Sequence, residues 1–296
     1  MEPENIPTGG YTPALPLAEL RDAAERIRSG IQRVIIGQDN VIDQLITALL
    51  SDGHVLIEGM PGVAKTLAAK LLARTVDTGF ARIQFTPDLM PSDVIGTSIF
   101  DPRTAAFTFK PGPIFSNVVL VDEINRAPAK TQSALFEVME ERQVTVDGTT
   151  HPVGDPFMIV ATQNPIEHEG TYRLPEAQLD RFLFKIDMGH PSLEEEEQLL
   201  LRAQEGPHRM DAAQVTPVIT PAELARLRGL VFQVKCDAKL VRYIAEIAHA
   251  TRNDRNLMLG ASPRASLAVQ RAAKAVAAVQ GRDFTIPEDI RQVLPA

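Results

Sequence analysis

The sequence holds a single cysteine, Cys236, in 296 residues. One thiol excludes an intrachain disulfide and a cysteine-rich zinc site. The six histidines are scattered, with no pair at metal-ligand spacing. There is no uninterrupted run of about 18 apolar residues, the length a membrane-crossing helix needs, so no span is expected. The opening MEPENIPTGGYTPALP lacks the basic start and apolar core of a signal peptide, and a cytoplasmic location is expected from that. Net charge is −8, and there is no basic stretch studded with aromatics. Both weigh against a surface devoted to nucleic acid.

What is present has the balance of a globular protein, with 44% hydrophobic and 23% charged residues. The length suits a large domain with a small one attached. Residues 1–16 are rich in Pro and Gly and read as a flexible tail. Leu17, Leu20, Ala24, Ile27, Ile31 and Val34 recur at steps of three and four, which places them on one helical face. Up to about residue 190, apolar runs at 54–58, 82–86, 118–121, 157–162 and 182–186 alternate with helical stretches. Several lack polar alternation, as strands covered on both faces do, and the alternation predicts a parallel sheet layered by helices. Beyond residue 190 the strand signals stop. Ser192 with Glu195, Thr220 with Glu223, and Thr285 with Glu288 fit the capping box that opens a helix. Residues 262–280 begin with Ser and Pro and run alanine-rich, another helix. The acidic run at 194–197 reads as a solvated helix start. The expected organisation is a tail over 1–16, an α/β domain over 17–190 and a small all-helical domain over 191–296.

Gly59-Met60-Pro61-Gly62-Val63-Ala64-Lys65-Thr66 follows an apolar run and precedes a helical one that starts at Leu67. A phosphate loop requires this strand–loop–helix context. Glycines let backbone N–H groups turn inward around phosphate oxygens, and the helix N-terminus adds positive potential. Lys65 then reaches the terminal phosphates and the Thr66 hydroxyl holds Mg²⁺. The usual pattern has glycine before the lysine. Ala64 stands there, which requires that the backbone keep negative φ or find room for the methyl group. Residues 118–123 (VVLVDE) read as a buried strand ending in two carboxylates, 56 residues beyond Thr66. Asp122 suits the Mg²⁺ hydration shell, and Glu123 suits the orienting of an attacking water.

These two motifs, with VDEINRAP (121–128), ATQNP (161–165), GTYRLPEAQLDRF (170–182) and GASPRA (260–265), resemble the AAA+ ATPases, and among them the MoxR family. The resemblance runs from about residue 31 to the end. It implies a P-loop AAA+ sheet sandwiched by helices, followed by a small all-α lid, with ATP and Mg²⁺ bound. Asn164 looks like the sensor of the γ-phosphate; from the residues alone it also reads as an Asn-Pro turn. Arg181 looks like the arginine finger that reaches a neighbour's nucleotide, or else pairs at the surface with Asp180 or Glu176. Arg264 looks like a second sensor, carried on the lid and swung toward phosphate, or else is a solvated first-turn arginine. Ile35, Ile36 and Gly37 match the segment that packs against adenine, and the apolar pair reads equally as core. Arg126 is placed by the resemblance near an adjacent subunit or its nucleotide. Residues 97–114 resemble a β insertion in the second helix, and residues 143–153 a hairpin before the sensor; in relatives such loops face a pore and touch clients.

The resemblance further implies a homo-oligomeric ring, most often a hexamer, acting as a chaperone on a client protein complex or in cofactor insertion, beside a protein with a von Willebrand factor A domain. A nucleotide-dependent scaffold with little turnover and a metal-chelatase-like ATPase subunit are the alternatives. A GTPase is disfavoured, because no Asn-Lys-x-Asp string is present.

Overall fold

The computed structural model describes residues 13–103, 105–165, 172, 174–204 and 215–296. Residues 1–12 of the expected tail, and residues 170, 171 and 173 of the GTYRLPEAQLDRF string, lie outside the described residues.

The chain opens with α1 (Leu17–Gln32) and α2 (Asp39–Leu50). The steps of three and four bury Leu17, Leu20, Ala24, Ile27 and Ile31 along one side of α1. β1 (Val55–Gly59) then leads through a loop into α3 (Lys65–Thr75), β2 (Phe80–Gln84) and the short α4 (Pro91–Ile95). A hairpin of β3 (Gly96–Asp101) and β4 (Ala106–Pro111) precedes β5 (Val118–Asp122) and α5 (Ala129–Glu141). A second hairpin pairs β6 (Gln143–Val146) with β7 (Thr149–Pro152). Its turn residues, Asp147 and Gly148, both take positive φ, as a two-residue hairpin turn demands. β8 (Met158–Gln163), α6 (Glu176–Leu179) and β9 (Phe184–Met188) follow. After β9 the described elements are all helical: α7 (Leu193–Gln204), α8 (Pro221–Gln233), α9 (Ala238–Asn253), α10 (Pro263–Val279) and α11 (Pro287–Val293).

Five strands form one parallel sheet in the order β2-β5-β8-β1-β9. Each of the five apolar runs supplies one of them, displaced by at most two residues. The reason the runs lack polar alternation is visible in the packing. Val118 and Leu120 of β5 enter one core, while Val119 and Val121 enter the other; β1 and β8 divide the same way. Side chains alternate across the sheet, so a strand covered on both faces must be apolar at every position. Burying each such side chain contributes roughly 1.5–3 kcal/mol. The core on one face takes in α1, α2 and α3 together with residues of α8–α11. The sheet and the C-terminal helices are therefore welded through shared side chains.

Two of the three expected helix starts form. Ser192 accepts the Glu195 N–H while the Glu195 carboxylate accepts the Ser192 N–H, and Thr220 accepts the Glu223 N–H. The third is corrected. α11 starts one residue later, and it is Asp289 that accepts the Ile286 N–H at 2.8 Å. Thr285 is instead drawn to the Lys235 carbonyl, which its own N–H meets at 2.9 Å.

Candidate active site

The carboxyl ends of the parallel strands are where a sheet of this kind binds ligands, and there β1 runs into the phosphate loop. Gly59 closes the strand against β9; a Cβ there would stand 2.5 Å from the Met188 carbonyl oxygen. Gly62 turns at φ +89° with open space around it. Met60 and Leu67 are partly buried and anchor the loop's two sides on the core, and Val63 is buried outright. Lys65 opens α3, and its Nζ donates to the Gly59 carbonyl and, at 3.4 Å, to the Gln163 carbonyl at the end of β8. Of the two ways in which Ala64 could be accommodated, a negative φ is not the one found. Ala64 sits at φ +68°, ψ 24°, in the left-handed region that an alanine occupies at a cost of about 1 kcal/mol or more.

Asp122, the last residue of β5, is buried and faces α3. The Thr66 hydroxyl lies 3.4 Å from both its carboxylate oxygens, the Thr162 hydroxyl donates to it at 3.0 Å, and Arg82 Nε donates at 2.7 Å. A hydroxyl and a carboxylate converging at the start of a helix are hard oxygen donors, the set that suits Mg²⁺. Glu123 follows at φ +56°, off the extended path of the strand. Gln84 Nε2 donates to Glu123 at 2.9 Å, and Arg126 pairs with it at 3.1 Å. The Glu123 N–H donates to Thr162 Oγ1 at 3.1 Å, so a single hydroxyl ties both carboxylate residues to β8. Asn164, just past the end of β8, is buried beside this layer. Phosphate loop, hydroxyl, two carboxylates and an amide thus share one edge of the sheet.

Arg181 and Arg264 stand at the other edge. They line a cleft with Asp52, His54 and Leu183, residues that precede β1 and β9. From His54 to Gly59, at about 3.3 Å per strand residue, is roughly 16 Å. Arg264 therefore stands at the opposite end of the sheet from the 59–66 loop of its own chain. Arg264, in the first turn of α10, pairs with Glu140 at the end of α5, and so does Arg181. Arg181 also donates to the Phe136 carbonyl at 2.7 Å. Asp180, offered by sequence as an ion-pair partner for Arg181, instead accepts the Ser262 hydroxyl at 2.7 and 2.8 Å. Ser262 caps α10, so this contact fixes where the helix carrying Arg264 begins. His54 fastens the floor of the cleft. Its Nδ1 accepts the Ile159 N–H at 3.0 Å, which leaves Nε2–H to donate to the Met139 carbonyl at 3.2 Å. Burial, and then the nearby Arg142 charge, push its pKa down to about 3, so the ring is neutral.

Residues 54–184 match the ATPase family associated with various cellular activities (AAA), and residues 249–296 match an AAA lid domain. The chain is 48% identical over 280 residues to Chaperone MoxR1 of Mycobacterium tuberculosis, across 92% of this chain and 73% of that protein. It is 30% identical over 305 residues to Protein MoxR of Methylorubrum extorquens, across 94% and 87%. The chain belongs to the MoxR family of AAA+ ATPases. A crystal structure of a candidate ATPase from Cytophaga hutchinsonii agrees with this MoxR fold at a TM-score of 0.85 and 41% identity, across 94% of this chain and 86% of that one. A MoxR chain is an ATP-hydrolysing enzyme, with an AAA domain followed by a lid. No described helix is long and apolar enough to cross a membrane.

Within this MoxR chain the two readings of the 35–37 segment separate by residue. Ile35 is buried in the core, while Ile36 is only partly covered. Gly37 takes φ +66°, and a Cβ on it would collide with the Glu195 carboxylate of α7. Three residues at the site escaped sequence reasoning: Arg82, Gln84 and Thr162. Arg82 and Gln84 lie two apart on β2, on the side that meets Asp122 and Glu123, with Gln84 in register with Asp122. Only the pairing of β2 with β5, about forty positions away in sequence, reveals them. Thr162 lies inside the ATQNP string and was readable there as a second polar group beside Asn164.

Proposed function

We propose that this chain hydrolyses MgATP at a site finished by the neighbouring copy in a homo-oligomeric ring, and that the cycle remodels a client protein complex. One observation carries the inter-chain part. The phosphate loop and the arginine pair occupy opposite edges of one sheet, so a single chain holds two halves of two different sites. A head-to-tail contact that closes on itself makes a ring, and a hexamer is the size we propose.

The residues divide the work as follows. Backbone N–H groups of the loop and Lys65 hold the phosphates, while Ile36 and Gly37 lie where adenine packs. Thr66 and Asp122 would hold Mg²⁺, which would neutralise charge on the transferring phosphoryl group when bound. Glu123 accepts a proton from the attacking water and Asn164 fixes that water's position; phosphate leaves and ADP remains. Arg181 and Arg264 of the adjacent copy stabilise the charge that builds on the phosphoryl oxygens. Arg126, paired with Glu123 in the isolated chain, lies where the arriving neighbour can compete for it.

The chaperone role is supported by the name of the mycobacterial relative. The exposed Phe100 and Phe107, whose ring centroids lie 5.3 Å apart on the β3–β4 hairpin, give that hairpin an apolar tip suited to protein contact. A partner with a von Willebrand factor A domain, a client that takes up a cofactor or metal, and a cytoplasmic setting complete the proposal. The deciding experiment measures phosphate release against protein concentration. Specific activity should rise steeply through an assembly threshold, and Lys65→Ala should abolish MgATP binding. Activity per chain that stays constant on dilution refutes the inter-chain site.

A further inference from the structure

We infer that Glu140 is a positioning residue for the reaction: its carboxylate gathers Arg181 and Arg264, from two separate parts of the chain, into one cationic face that meets the neighbour's triphosphate. The inference rests on the inter-chain reading above and adds to it the residue that assembles the face.

Glu140 lies in the last turn of α5, where the helix end carries partial negative charge and an acidic side chain is unfavourable. That turn has no basic residue and two acids, so helix stability does not account for a carboxylate there. What accounts for it is the company it keeps. Arg181 Nη1 and Arg264 Nη2 both pair with it, one from the segment ahead of β9 and the other from α10. Without an anion between them two guanidinium groups repel, and with a single carboxylate the trio keeps a net positive charge. A guanidinium has five donors in a rigid fork, and Glu140 engages only part of each. Arg181 Nη1 is steadied by the Phe136 carbonyl, while its buried Nε has no partner among the described residues. The forks are held in place but not saturated.

The neighbouring acid is spoken for. Asp180 takes the Ser262 hydroxyl and thereby sets the start of α10 beside the 180–183 segment. Behind Glu140, His54 holds the Met139 carbonyl. The carboxylate is thus fixed through its own backbone, and the two arginines are fixed through the carboxylate. A triphosphate, carrying more negative charge and more acceptor oxygens than one carboxylate, takes over the unused donors when the neighbour docks.

The test is a double-mutant cycle on full-length protein with E140Q, R181A and E140Q/R181A. Phosphate release is followed across the assembly threshold, and MgADP affinity and thermal midpoint are measured for every variant. Gln is isosteric with Glu, and Glu140 is more than a third exposed, so E140Q should melt where wild type melts. MgADP affinity, set by each chain's own phosphate loop, should stay within about twofold. Turnover above the threshold should fall by about tenfold or more, as expected for a misplaced catalytic group. The further loss that E140Q causes in R181A should be clearly smaller than the loss it causes in wild type, because one of the two arginines that Glu140 positions is already gone. Wild-type turnover in E140Q, or losses that multiply in the double variant, overturns the inference while leaving the ring intact. Wild-type activity that is independent of concentration removes the ring reading, and this inference with it.

Discussion

At the carboxyl edge of the sheet, the chemistry comes from two strand ends and the turns directly after them: Gly59 to Thr66, and Asp122 with Glu123. At the amino edge, the charged groups come from three elements spread over more than a hundred residues: Glu140, Arg181 and Arg264. The first edge is local and strained, with Gly62, Ala64 and Glu123 all at positive φ. The second is assembled by tertiary packing and rests on a buried, neutral histidine. In the proposed reading, gripping a nucleotide is written into eight consecutive residues, whereas acting on another chain's nucleotide depends on the whole fold being in place.

The largest expected effect breaks the two edges apart. Arg181→Ala should lower turnover by about a thousandfold or more, with MgATP binding retained. Lys65→Ala should be equally inactive, for the opposite reason. Mixing the two inactive chains should restore part of the activity, because rings then contain sites with an intact loop facing an intact arginine. Mixtures that stay dead place both functions on the same side of the interface. Next in size, Glu123→Gln should cut phosphate release by about a hundredfold or more while still trapping ATP. Equilibrium binding and single-turnover hydrolysis separate those two quantities.

A pH series sharpens the contrast at the amino edge. The folded pKa of His54 is pushed down to about 3 from its ordinary 6.5, so below pH 6.5 the unfolded chain binds this proton and the folded chain does not. Its contribution to stability is complete above pH 6.5 and is lost as pH falls from there toward 3, at about 1.4 kcal/mol per pH unit. Urea midpoints should fall more steeply with acid in wild type than in His54→Gln; parallel slopes would show that the ring is not held neutral. The smallest effect belongs to the loop. Ala64→Gly relieves a left-handed alanine but frees the unfolded backbone, leaving a net gain of about 0.5–1 kcal/mol. Calorimetry should show a melting point raised by about 2 °C, and a lowered one would mean that the methyl group packs usefully.

Most of the sheet was legible because burial on both faces forces runs such as VVLVD, and so short a run, closed by two carboxylates, fits little besides a central strand. The α1 face was legible for the same reason, written at a different period. The phosphate loop and the DE pair were legible because their chemistry is contiguous. What stayed hidden depends on register or on long-range placement. Arg82 and Gln84 carry no signal until β2 lies beside β5. The edge at which Arg264 stands is decided by how α10 packs, not by the residues near it. The cap of α11 was misread because Thr285 and Asp289 both had suitable neighbours, and competition for the Lys235 carbonyl settled which pattern formed.

The apolar interior that runs unbroken from one sheet face into α8–α11 constrains which motions the proposed ring could use. A hinge inside the subunit would have to tear that interior open at every turnover, exposing oily surface to water. Sliding and tilting at the seams between copies involves no such rupture. In the proposed ring each protomer would therefore travel as a rigid wedge, with displacement generated where one wedge rolls against the next.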